Sequence, residues 1–244
     1  RPSMAVSELW LARHGESVAN IAATTAERGG VEVIPIDIRD ADVPLSTTGE
    51  EQATALGTWV AEHRSALDLF WVSPYVRARQ TLAIALGETG PPALVIVDER
   101  LRDRDLGILD LLTSHGVARL HPEEAARRRH LGKYYHRPPG GESWADVALR
   151  LRSFLHDAAD APGRTALVVA HDAVVMLILA LLLPLEESEL LEFAASHTVL
   201  NASVTHLVRR DAGWELLEFS GVAHLQTEGA PVTVHPGSPD VEPE

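Results

Sequence analysis

Four short apolar runs recur along the chain, in "ELWLAR", "LDLFWVS", "ALVIVD" and "TALVVAH". Each is too short for a helix and is bounded by turn residues or by a helical pattern, so each reads as a buried strand. Between them the apolar spacing becomes helical. Thr47 and Glu50 stand at capping-box spacing, with Ala53, Leu56 and Val60 following at helical intervals. Ser73 is placed to cap a further helix with Pro74 at its first position. The run 173–185 is too short to cross a bilayer and is broken by Pro184, and its leucine-rich part, 174–183, is apolar all round. It reads as a buried helix. "SVTHLVRR" and "GWELLEFS" read as a closing strand pair around Asp211–Gly213.

This alternation predicts an α/β three-layer sandwich, with a mainly parallel central sheet flanked by helices. One domain is expected over 5–225, with no internal repeat. Three segments do not follow the alternation. Residues 27–44 read as a long polar, proline-containing connection, and 98–142 as charged, histidine-rich sequence whose short helices form a cap insertion over about 104–141. Residues 226–244, with no apolar period, read as a disordered acidic tail. Met4 is the expected native start, with Arg1–Ser3 ahead of it as a cloning remnant.

Ligands of an open parallel sheet bind outside the carboxyl ends of its strands. The first strand delivers Arg13 and His14, with Gly15 allowing a sharp turn; the second delivers Ser73 and, one helical turn on, Arg77. The third leads to Asp98, Glu99 and Asp103, and the fourth ends on His171 and Asp172. Two arginines at one edge call for an anion, because each offers a permanent charge and a fork of donors matched to phosphate or carboxylate. A neutral imidazole is a nucleophile toward phosphorus, which gives His14 the attack and leaves His171 to hold the equatorial oxygens. A carboxylic acid must then protonate the leaving alkoxide.

Composition narrows the partners. The 244 residues include no cysteine, which excludes disulfides, thiolate catalysis and cysteine metal ligands. A hydrophobic fraction of 45% with 23% charged residues describes a globular chain with a sizeable core. The net charge of -14 argues against nucleic acid or an anionic membrane as partner and favours a small phosphorylated substrate over a polyanion. His115, His121, His130 and His136 lack zinc-ligand spacing and are expected to be solvated cap residues, so no metal and no cofactor are predicted. No secretory signal is visible, and a cytoplasmic location is expected.

"LARHGES", "SPYVRARQT", "GGESWADV" and "VVAHD", in that order, resemble the histidine phosphatase superfamily, which shares its fold with the cofactor-dependent phosphoglycerate mutases. The resemblance runs from about residue 8 to 225. It implies His14 as the phosphorylated nucleophile and Arg13, Arg77 and His171 as the phosphate pocket. Asn20 matches a phosphate-contacting position, and Glu142 matches a motif position near the pocket that organises rather than reacts. Where the family carries a glutamate in a pattern like "LxExxxG", this chain reads "LRDRDLG", which puts Asp103 at the proton donor's place. The phytase branch uses the aspartate of an "HD" pair, so Asp172 is the second candidate acid. The mutases' "WN" and short loop after RHG are replaced here by "VANIAATTAERGGVEVIP", which points to a phosphatase. A mutase-type phosphotransferase and an idle phospholigand-binding protein are the alternatives. Tyr134, Tyr135, His136 and Arg137 are expected at the substrate entrance, and the fold is compatible with a homodimer.

Overall fold

The computed structural model describes residues 5–88 and 90–236. Met4 and the residues before it therefore lie outside the described residues, as does the tail beyond 236. Six strands form one sheet: β1 (Glu8–Arg13), β2 (Leu69–Val72), β3 (Val95–Val97), β4 (Thr165–Ala170), β5 (Val204–Arg210) and β6 (Gly213–Gly221). Their order is β3-β2-β4-β1-β5-β6. The first four are mutually parallel, with Arg13 opposite Ala170, and the β5–β6 hairpin joins antiparallel to β1. The α/β, mainly parallel architecture expected from the apolar runs is the one observed.

The central strands β2 and β4 are buried on both faces because helices cover both, while the edge strands β3 and β6 stay largely exposed. Along β4 every residue is buried: Ala166, Val168 and Ala170 face one core, while Leu167 and Val169 face the other. The first core packs α6 (Trp144–Ala158) and α7 (Asp172–Leu182) on the sheet. The second packs α2 (Thr47–His63) and α3 (Val76–Leu86). Helices α4 (Ser114–Leu120) and α5 (Pro122–Leu131) lie in the expected cap region, and α8 (Glu187–Ser196) and α9 (Ala223–Glu228) follow α7 and β6. Helix α1 (Val18–Gly29) starts at once after the RHG turn, where Ser17 Oγ accepts the N–H of Asn20 and Asn20 Oδ1 accepts that of Ser17.

Several local expectations shift. The cap of α2 is Ser46, whose Oγ accepts the N–H of Gly49, one residue before Thr47. Ser73 does not cap α3, which begins after Tyr75; its hydroxyl is drawn to His171 instead. Residues 27–44 are more than a polar connection. Thr113 donates its N–H to Glu32 O and its hydroxyl to Val31 O, and Ile34 N–H donates to Leu111 O. This pairing folds Ile34, Ile36 and Ile38 onto the rim of the functional cavity. The expectation of disorder from 226 onward does not fit residues 226–236: α9 crosses the boundary at 225, and the chain beyond it packs back on the sheet edge, burying His235.

Candidate active site

The carboxyl ends of β1, β2 and β4 open into a cavity of about 500 Å³. Arg13, the last residue of β1, is 2% exposed, and His14 follows it at 3%. His14 N–H donates to Ala170 O, which ties the turn to the neighbouring strand. Gly15 is required by close approach. A Cβ there would lie 2.6 Å from Gly49 O, and one on Gly49 would lie 1.9 Å from Glu16 O, so two glycines let α2 abut the turn.

The nucleophile expected from the sequence has a fixed tautomer. His14 Nδ1 lies 2.6 Å from Gly15 O, and a carbonyl only accepts, so Nδ1 carries the hydrogen and Nε2 holds the free lone pair. Burial pushes its pKa well below the ordinary 6.5, and Arg77, His171 and Arg13 push it in the same direction. His171 stands beside it with ring centroids 5.3 Å apart, fully buried and likewise held neutral by burial and then by Arg77 and Arg13. Its Nε2 meets Ser73 Oγ at 2.8 Å, while its buried Nδ1 has no hydrogen-bond partner. Ser73 Oγ also accepts the N–H of Tyr75.

The two arginines are held from behind. Arg13 Nη1 donates to Val199 O and to His235 O, both at 2.7 Å, and its Nε is buried without a partner. Burial lowers the guanidinium's pKa from its ordinary value, with Asp172 and Asp103 acting in the opposite sense. Arg77 Nη1 donates to the backbone O of Asp40 at 2.6 Å and lies 3.1 Å from its carboxylate, and Nη2 donates to Asp103 Oδ2 at 3.2 Å. The ring of Tyr75 covers it, 5.1 Å from the guanidinium carbon.

Asp103 pairs with Arg77, and its Oδ1 accepts the backbone N–H of Arg104 at 2.9 Å. Its Oδ2 is 3.8 Å from His171 Nδ1, and it lines the cavity. Asp40, which sequence reasoning passed over inside the 27–44 segment, carries a pKa raised to about 6 by burial first and then by Asp103 and Asp110, against the pull of Arg77. Asp172 also lines the cavity as the first residue of α7, and its Oδ1 accepts the N–H of the adjacent Ala173; the position before it, His171, is the helix cap.

Asn20 lines the cavity with its Oδ1 committed to Ser17 N–H and Asn201 Nδ2. Glu142 lies outside the cavity lining. Its carboxylate accepts from Arg150 Nε at 2.9 Å, Arg150 Nη2 at 3.0 Å and Asp105 N–H at 3.0 Å. Burial alone would raise its pKa, but these donors hold it below the ordinary range. Arg150 also donates to the carbonyls of Arg100, Arg102 and Asp103, so Glu142 and Arg150 fix the loop that carries Asp103. The only sequence trace of Arg150 is its place two turns along the helix that "GGES" opens.

The entrance differs from the expected one. Lys133 and Trp144 line the cavity, but Tyr134, Tyr135, His136 and Arg137 do not. Arg137 is occupied by Asp146, and His136 is buried against Glu124 at 2.8 Å, so it is not a solvated residue. Among the described residues no group of three His, Cys, Asp or Glu is arranged to hold a metal ion, and no helix is long and apolar enough to cross a membrane.

An RHG turn at a strand end, two buried arginines and a second buried histidine gather positive charge and donors at one edge of an α/β sheet. Residues 9–220 match the family model of the histidine phosphatase superfamily (branch 1), and the chain belongs to that superfamily. It is similar to the fructose-2,6-bisphosphatase of Saccharomyces cerevisiae, 30% identical over 74% of this chain and 35% of that protein. It is also 30% identical to a Yersinia enterocolitica protein named probable phosphoglycerate mutase GpmB, over 73% of this chain and 75% of that one. The chain spans about a third of the length of the first curated relatives it matches, 33% and 35%. Among solved structures, a mycobacterial glucosyl-3-phosphoglycerate phosphatase complexed with inorganic phosphate superposes with a TM-score of 0.68 at 26% identity, covering 90% of this chain and 99% of that one. The alpha-ribazole phosphatase of Shigella flexneri shares the fold, with a TM-score of 0.70 at 21% identity over 88% of this chain and 96% of that one. Phosphatases thus stand among both its sequence relatives and its structural neighbours.

Proposed function

We propose that the protein is a metal-independent phosphatase that hydrolyses small phosphomonoesters through a phosphohistidine on His14. The observation that carries this reading is the Nδ1–H donation from His14 to Gly15 O, which leaves a bare Nε2 beside Arg13, Arg77 and His171. In the first step Nε2 attacks phosphorus and the P–O bond to the leaving group breaks. The equatorial oxygens take hydrogen bonds from Arg13 Nε, Arg77 and His171 Nδ1, and a contact from Asn20 falls to its Nδ2 because its oxygen is engaged. A carboxyl group gives its proton to the departing alkoxide. In the second step water attacks phosphorus, the N–P bond breaks, and the same carboxylate takes the proton from water. Asp103 is the acid in this reading, since it lies between Arg77 and His171, whereas Asp172 is engaged by its own helix.

The substrate's remainder would meet Ile34, Ile36, Leu106, Leu111 and Leu112 together with Asp40, Asp110, Arg104 and Lys133. This lining supports a single phosphate on a partly apolar group. The phosphatases among its relatives and structural neighbours support the hydrolytic reading. The test is phosphate release from p-nitrophenyl phosphate with EDTA present, for the wild type and His14→Ala. Turnover that disappears in the variant is expected; equal rates would remove His14 as nucleophile, and turnover that requires a bisphosphate primer would favour the mutase.

A further inference from the structure

The segment that reads in sequence as an acidic tail reaches the least exposed part of the site. After α9 the chain runs back across the RHG turn and is fastened at successive points. Gln52 Nε2 donates to Pro231 O at 2.9 Å and to Thr233 Oγ1 at 2.8 Å, while Gln52 Oε1 accepts the N–H of Glu16. Thr233 Oγ1 donates to Asn201 Oδ1 at 2.9 Å. His235 is then buried, with Nε2 2.6 Å from Glu16 Oε2 and Nδ1 2.6 Å from Thr24 Oγ1 on α1. Glu16 Oε1 is itself held by the Ser46 hydroxyl at 2.9 Å. Pro236, the next residue, lines the cavity.

We propose that His235 is a positioning residue for the phosphate site: its imidazole, wedged between Glu16 and Thr24, places its carbonyl on Arg13 Nη1 and so aims the guanidinium at the phosphate. Arginine's long side chain has many rotamers, and a guanidinium free to wander would have to be ordered by each arriving anion. Here one Nη1 is fixed by two carbonyls, Val199 O and His235 O, and the planar group follows, leaving the buried Nε without a partner on its open side. Such ordering in advance of binding is what makes a phosphate site effective. Val199 lies within the superfamily match, which covers residues 9–220, and the strap that carries His235 lies beyond it.

The inference rests on the phosphatase reading for its kinetic arm and on anion binding alone for its second arm. Full-length wild type, His235→Ala, His235→Gln and Val234→Ala are compared in kcat and KM for p-nitrophenyl phosphate and in the Kd for inorganic phosphate by calorimetry. Val234 is exposed on the same segment and serves as the control. The expected result is a tenfold or greater rise in both KM and phosphate Kd for His235→Ala, with kcat changed less than threefold. His235→Gln, which keeps a donor for Glu16 and an acceptor for Thr24, recovers most of the loss, and Val234→Ala matches the wild type. A folded His235→Ala whose Kd and KM stay within twofold of wild type overturns the proposal. If His235→Ala fails to fold, Thr24→Val removes one of the two wedge partners and is read by the same criterion at threefold. A wild type that binds phosphate but releases none from the ester overturns the phosphatase reading only, and the binding arm then decides this inference. A wild type that does neither overturns both.

Discussion

Replacing Arg150 by alanine should damage stability and catalysis together, because one side chain holds both a carboxylate and the backbone of the Asp103 loop. Arg150 donates to both oxygens of Glu142, at 2.9 and 3.0 Å, and to the carbonyls of Arg100, Arg102 and Asp103 at 2.6, 2.8 and 3.1 Å. The two side chains are 11% and 16% exposed. Removing one partner of a buried pair costs about 3–5 kcal/mol, chiefly because the other charge is stranded. The low end applies, since Glu142 keeps the N–H of Asp105 and has Arg102 at 3.9 Å. For a chain of this size about 3 kcal/mol corresponds to a Tm lower by roughly 6–12 °C. Urea unfolding of Arg150→Ala measures the loss, and kcat/KM should fall at least tenfold as Asp103 loses its carbonyl anchor. The double variant with Glu142→Gln should lose less than the sum of the single losses, because no carboxylate is left stranded. A loss below about 1 kcal/mol with unchanged kcat/KM would refute the assignment of Arg150 and Glu142 as the loop's support.

Asp103→Asn should reduce hydrolysis of an alkyl phosphate far more than that of p-nitrophenyl phosphate, whose leaving group departs without help, while Asp172→Asn should affect both equally. The reverse selectivity would make Asp172 the acid. His14 and His171 are buried neutral, so below pH 6.5 the unfolded chain binds protons that the folded chain does not, and stability falls with pH. From pH 7 to 5 each should cost about 2 kcal/mol. Asp40, raised to about 6, works in the opposite sense, so the comparison is with His14→Gln, whose urea midpoint should fall visibly less over that range. A variant that tracks the wild type would contradict the buried neutral histidine. Gly49→Ala, whose Cβ would lie 1.9 Å from Glu16 O, should lose both stability and activity, and a variant that melts at the wild-type temperature would show that the turn and α2 can separate.

The core of the site was legible in the sequence because it sits at the ends of strands. Apolar runs of four to six residues mark β1, β2 and β4, and the residue after such a run in a parallel sheet can face only the ligand edge. Arg13, His14 and His171 follow from that rule, and Arg77 from one helical turn. Residues held by distant polar contacts gave no such signal. His235 meets Arg13 across 222 positions, in a segment whose prolines and lack of apolar period are those of a loop. Its order comes from hydrogen bonds that composition cannot show. Asp40 and the isoleucines beside it were hidden for a related reason: they line the cavity from irregular backbone whose pairing with 111–113 has no period. Ser73 had two competing uses, and the buried imidazole of His171 claimed its hydroxyl from the helix cap.

The most direct test is to trap the covalent intermediate. The protein is mixed with a rapidly cleaved phosphomonoester, quenched in alkali within the first turnovers, digested and read by mass spectrometry for phosphate on the peptide that contains His14. The account predicts one alkali-stable, acid-labile phosphate on His14, absent from His14→Ala. Continued turnover with no phosphate on that peptide at any quench time would contradict it.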